Sequence, residues 1–133
     1  MANTVAIKFL GKGSRSIIIS VFLKSDGVSG ELTEQTLIDP VVDLGLKSND
    51  RLTLVSVMSN LTGFDAILEF DSDGVDPNFK WALVAGTNSP TDFSPLGGIV
   101  DDSGMDGTGK LQLTTSGFTS SSDFGSILIK LRH

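Results

Sequence analysis

An antiparallel β-sandwich is the fold class this sequence predicts, and three observations predict it. Apolar and polar residues alternate with a period of two in short runs, the mark of strands with one face in a core. Glycine is abundant, 15 in 133 residues, and it stands between those runs rather than inside helical patterns. No stretch keeps an apolar period near 3.6 for three turns; the one candidate, LTEQTLIDPVVDLGL, is interrupted by Pro40.

Taken in order, strands are expected near residues 5–10, 15–24, 32–38, 51–59, 64–70, 79–85, 110–115 and 126–132, about eight in all. In the second, Ile17, Ile19, Val21 and Leu23 form one face, while Ile18 and Phe22 make the other partly apolar, which predicts a strand covered on both sides. In GFDAILEFD, Phe64, Ala66, Leu68 and Phe70 oppose Asp65, Ile67 and Glu69. In the last strand Ile127, Ile129 and Leu131 face inward, and Lys130 and Arg132 face out. Turn signals separate the strands: SDGVSG, Asp39 with Pro40, SND, DSDG, and the long NSPTDFSPLGGIVDDSGMDGTG, which reads as a loop with a short strand at Ile99 and Val100. Trp81 and the rings of Phe9, Phe22, Phe64, Phe70 and Phe118 fall at strand positions, where core packing is the expected role for most. There is no repeat and no linker, so residues 1–133 read as one jelly-roll-like domain of two packed sheets.

Composition narrows the chemistry. The chain has no cysteine, which excludes disulfides and thiolate metal sites, and its single histidine is the last residue, His133. A Ser-His-Asp triad and a multi-histidine metal site are closed off with it. The opening MANTVAIKFLGKGSRS lacks the pattern of a signal peptide, and no apolar run approaches a membrane span, so the protein is expected to be made and assembled in a cytoplasm. Net charge is −6, unevenly spread. The first 25 residues carry Lys8, Lys12, Arg15 and Lys24 and no acid; residues 26–106 carry 15 acids against Lys47, Arg51 and Lys80. Basic ends around an acidic middle argue against a general nucleic-acid binder and fit either a face that docks on another protein or an uneven solvated surface.

Three motifs invite chemistry. Asp71, Asp73 and Asp76 cluster around Gly74, but an EF-hand counted from Asp71 puts Val75, Asp76 and Ala82 where an oxygen ligand, glycine and glutamate belong. DSDGVD therefore reads as a turn between strands. GMDGTGKL matches the phosphate-binding GxxxxGK and then breaks it with Leu111, and the alternating LQLTTSGF that follows is a strand rather than a helix. Carboxylate pairs such as Asp71 with Asp73, or Asp101 with Asp102, could serve acid–base work on a sugar, yet no tyrosine and a single tryptophan accompany them. No catalytic residue, cofactor or metal ligand is assigned.

The ordered combination ISVFLKSDG, ELTEQTLIDP, GFDAILEFD, FKWALV, DFSPLGGI and GTGKLQLTTSGFTSSSDFGSILIKLR resembles small virion proteins of tailed bacteriophages, especially those infecting cyanobacteria and marine bacteria. The likeness runs over nearly the whole chain. It implies a non-enzymatic structural protein of the particle, similar to capsid cement or decoration proteins. Such a protein would sit on the outer surface of the head after assembly in the host cytoplasm, as a homotrimer bound to the major capsid protein, with no nucleic acid, membrane or small-molecule substrate. The alternative is a carbohydrate- or receptor-binding jelly roll of a tail or baseplate. Candidate docking residues are Lys8, Lys12, Arg15, Lys24, Lys130 and Arg132, since the first and last strands of a jelly roll tend to share a sheet. Candidate oligomer contacts are Phe93, Pro95, Leu96, Ile99 and Val100, apolar residues in the long loop.

Overall fold

The computed structural model describes residues 3–12, 16–47, 51–72, 78–101 and 107–133. Two nine-residue runs near the start of the chain, β1 (Thr4–Lys12) and β2 (Ser16–Lys24), pair antiparallel with Thr4 opposite Lys24. The last strand, β10 (Phe124–Arg132), lies along the other side of β2, and β4 (Thr53–Thr62) lies beyond it. The far edge of β4 is shared by β7 (Gly86–Asp92) and the two-residue β8 (Ile99–Val100), completing a six-stranded sheet. A second sheet of four runs β3 (Gln35–Ile38), β9 (Gly107–Ser116), β5 (Asp65–Ser72), β6 (Asn78–Leu83).

The winding defines the fold. Strands β2, β10, β4 and β7 are neighbours in one sheet, and β3, β9, β5 and β6 in the other, so among these eight the chain changes sheet at every connection except that from β5 to β6. Two interleaved Greek keys of this kind are a jelly roll, to which β1 and β8 are additions at the edges. The two inner faces close on each other. Ile17, Ile19, Val21 and Leu23 of β2 and Ile127, Ile129 and Leu131 of β10 bury in one cluster with Ala66, Leu68 and Phe70 of β5 and Leu111 and Leu113 of β9. Alternation in the sequence becomes burial here because successive side chains point to opposite faces of a sheet.

Four local features differ from the pattern read in the sequence. The loop expected after residue 85 contains β7, whose residues GTNSPTD are largely exposed. It pairs only with β4, at the sheet edge, so it shows no apolar alternation and accommodates Pro90 at a bulge opposite Met58. Pro40, read as an interruption, instead opens a one-turn helix α1 (Pro40–Leu44): Asp39 accepts hydrogen bonds from the Val41 and Val42 amides, and Gly45 closes the turn at φ 67°. The expected strand at 32–38 shrinks to β3, because the amides of Leu32 and Glu34 turn to the hydroxyls of Thr115 and Thr114. Finally, β2 is covered on one side only. Its outward Phe22 stays 39% exposed, so the double-sided apolar pattern that predicted a second cover is not satisfied among the described residues.

A carboxylate ties the loops at one end of the sandwich. Glu31, in the connection from β2 to β3, accepts from the Thr115 hydroxyl at 2.7 Å, from the Gly117 amide at 2.7 Å and from the Phe118 amide at 2.9 Å. Burial pushes its pKa up, but these three donors outweigh that and hold it below the ordinary glutamate value.

Candidate docking surface

The outward face of the six-stranded sheet gathers side chains from the two ends of the chain. Strand register sets them in rows. Ala6, Phe22, Ser126 and Asn60 follow one another across β1, β2, β10 and β4; the next row is Lys8, Ser20, Leu128 and Met58. A third row runs Ile18, Lys130, Ser56 and Asp92, with Arg132 and Ser16 below it, while Lys24 and Phe124 lie above the first row. Lys8, Lys24, Lys130 and Arg132 are exposed, and they border an apolar centre in which Met58 is 42% exposed, with Phe124, 49% exposed, at the margin beside Lys24.

The centre is not smooth. Large side chains alternate with serines, and two shallow sockets open on either side of the Leu128–Met58 row. One, of about 120 Å³, is floored by Ser20, Asn60, Ser126 and Ile127. The other, of about 140 Å³, is bounded by Ile18, Ser56, Pro90 and Lys130. At the margin, Asp92 is held below the ordinary aspartate pKa by hydrogen bonds from the Ser94 side chain and backbone, and Lys130 adds to the effect. Arg132 donates from Nη2 to the Gly97 carbonyl at 2.9 Å, so it also pins the turn before β8.

The basic residues named from the sequence therefore divide. Lys8, Lys24, Lys130 and Arg132 share this one face, because β1, β2 and β10 are neighbours. Lys12 pairs through its backbone with Ile17 at the end of β1, and Arg15 lies outside the described residues. Of the apolar loop residues, Pro95, Leu96 and Val100 are exposed, Leu96 by 82%, at the β8 end of the same sheet. Ile99 is half-buried against the core. Phe93 has to be removed from the oligomer contacts: it is buried to 3% exposure, its ring edge-on to Trp81, and its amide bonds the Val55 carbonyl at 2.8 Å. Single-sequence reasoning missed Met58, Leu128, Ser20 and Ser126. The signal was present in the apolar outward positions Ile18 and Phe22, whose neighbours only the register supplies.

The acidic motifs take ordinary structural roles where they are described. Asp71 accepts from the Thr108 hydroxyl at 2.6 Å, while residues 73–77, which hold the rest of DSDGVD, lie outside the described residues. Asp101, weighed with Asp102 as an acid–base pair, is buried, its Oδ2 3.7 Å from Arg51 Nε; Asp102 lies outside the described residues. Residues 104–106 of GMDGTGKL are likewise outside, and from Gly107 onward the chain is strand β9, with no helix to face a phosphate. Among the described residues no group of three or more His, Asp or Glu side chains is placed to hold a metal ion. No described helix is long and apolar enough to cross a membrane.

Topology and face together define a jelly-roll domain with an uncovered, cation-bordered sheet. No protein-family model matches the chain, and no curated protein matches it. Among solved structures it is similar to a cupin superfamily protein from Desulfitobacterium hafniense, at 11% identity and a TM-score of 0.36, over 99% of this chain and 79% of that one.

Proposed function

We propose that this chain is a non-enzymatic structural protein of a virus particle, a capsid cement or decoration domain of the tailed-phage kind, which docks on the major capsid protein from outside. The observation that carries the reading is the outward face of the six-stranded sheet: apolar, uncovered, and bordered by Lys8, Lys24, Lys130 and Arg132 in a chain of net charge −6. A cationic border on an otherwise acidic protein orients it toward an acidic surface and leaves its remaining acidic faces to solvent. The resemblance of nearly the whole chain to small phage virion proteins supports the choice of particle. Cement action needs buried area rather than chemistry. About 800 Å² per contact, repeated around a homotrimer, gives avidity without a strong single site. Pro95, Leu96 and Val100, exposed next to Arg132, supply an apolar edge for the trimer contact.

The test is association with purified undecorated heads. Lys8→Glu combined with Lys130→Glu should slow binding severalfold while leaving the fold intact, since each border charge contributes roughly 0.2–1 kcal/mol. The wild-type rate should fall with salt. Arg132 is left alone because it also holds the Gly97 carbonyl. Salt-independent kinetics with a folded double variant that decorates heads normally would refute the reading. A tail or baseplate binding module has one observation in its favour, the exposed diagonal neighbours Phe22 and Phe124, although Trp81 lies in the other sheet against Phe93. Mass spectrometry finding the protein in purified tails and not in heads would transfer the assignment to it.

A further inference from the structure

We infer that the outward face of the six-stranded sheet receives an extended acidic segment of its partner, with two apolar side chains, two residues apart, seated in the sockets flanking the Leu128–Met58 row. The inference rests on the docking reading but not on the identity of the particle. Three observations carry it. The sockets sit on opposite sides of one row of the sheet, so their centres are separated by about one two-residue strand period, roughly 7 Å, which is the spacing of alternate side chains in an extended chain. Their walls mix apolar residues with Ser20, Ser56, Ser126 and Asn60, whose side chains carry hydrogen-bonding groups. An extended backbone laid on a sheet face needs such partners for its own polar groups, whereas a helix satisfies them internally. The charge of the face around the sockets is positive on balance, with Lys130 lining one of them, Lys8 in the row between, Lys24 and Arg132 at the ends, and Asp92 the one described acid at the β7 margin. A second copy pressing the same face would set four cations and one acid against the same set, a net repulsion that an acidic segment of a partner avoids.

The experiment uses the full chain, isotope-labelled for amide NMR, and a capped ten-residue peptide alternating valine and aspartate as the probe. One control alternates valine and lysine; another keeps the first composition but places the valines in adjacent pairs. The alternating acidic peptide should shift amides of Ser20, Met58, Ser126, Leu128 and Lys130, and both controls should bind at least tenfold more weakly. Ser126→Trp, which fills one socket from an exposed position, and Lys130→Glu, which reverses its border charge, should each weaken binding at least tenfold in a folded protein. Equal binding of the lysine peptide, shifts confined to the other sheet, or no shifts at all would overturn the inference. So would concentration-dependent shifts at the same residues without peptide, which would identify a second copy as the occupant. Heads that still bind when the peptide does not would separate failure of the inference from failure of the docking reading.

Discussion

Trp81 and Phe93 stand edge to face with ring centroids 4.8 Å apart and planes 72° from parallel. The contact joins β6 of one sheet to the segment leaving β7 of the other, so it clasps the sandwich where the two sheets come together at an open edge. It also explains why a phenylalanine in a glycine- and proline-rich stretch is not free for an oligomer. Phe93→Ala should destabilise the monomer by about 3–5 kcal/mol, the usual cost of deleting a buried ring. Because Trp81 is the only tryptophan, its fluorescence reports the loss directly in a denaturant titration. An unshifted unfolding midpoint would show that the Phe93 ring contributes nothing to the packing of the sandwich.

Glu69 should make the protein less stable as pH rises. It points outward from β5 yet is only 2% exposed, and burial, then the neighbouring charges of Glu34 and Asp71, hold its pKa above the ordinary glutamate value despite a hydrogen bond from the Thr114 hydroxyl at 2.7 Å. Between the unfolded and the raised folded pKa, the native state keeps a proton that the unfolded chain has released. Stability contributed by that proton is present at low pH and lost as pH climbs through the folded value. Glu69→Gln should therefore raise the thermal midpoint at pH 7 and leave it nearly unchanged at pH 4.

Glu31 should show the opposite sign. Its pKa is lowered by donors that favour the carboxylate, so its contribution is present above the ordinary glutamate range and fades as pH falls through the lowered value. Glu31→Gln is expected to cost on the order of 1 kcal/mol at pH 7, kept small by the exposure of the side chain. The gap to wild type should close in acid, measured as denaturant midpoints across a pH series. Amide exchange at Gly117 and Phe118 should quicken first, since those N–H groups lose their charged acceptor.

Gly63, at the turn between β4 and β5, should not tolerate alanine. Its φ is 86°, and a Cβ there would collide with the Asp123 carboxylate, which itself accepts the Thr119 and Ser120 amides at 3.0 and 2.9 Å. The strain and the displaced cap together should cost about 1–3 kcal/mol. Gly86 has φ 107° with open space around it, so Gly86→Ala meets backbone strain alone and should cost less. Equal losses at the two sites, read from urea unfolding, would show that the Asp123 contact contributes nothing.

Much of the sandwich was legible in the residues themselves. The alternation of Phe64, Ala66, Leu68 and Phe70 against Asp65, Ile67 and Glu69, and of Ile127, Ile129 and Leu131 against Lys130 and Arg132, determined strand, face and inward direction, because a sheet leaves only two directions for a side chain. Polar β7 was not legible: an edge strand is held by backbone hydrogen bonds to β4, and those are blind to side-chain type. Nor could the sequence decide that outward Glu69 is buried while outward Phe22 is not. The candidate docking face lies between these cases. Its lysines and Ile18 and Phe22 were visible as residues, but their assembly around Leu128 and Met58 depends on β10 inserting between β2 and β4. Residues more than a hundred positions apart become neighbours only through that long-range pairing, which periodicity along a chain does not encode.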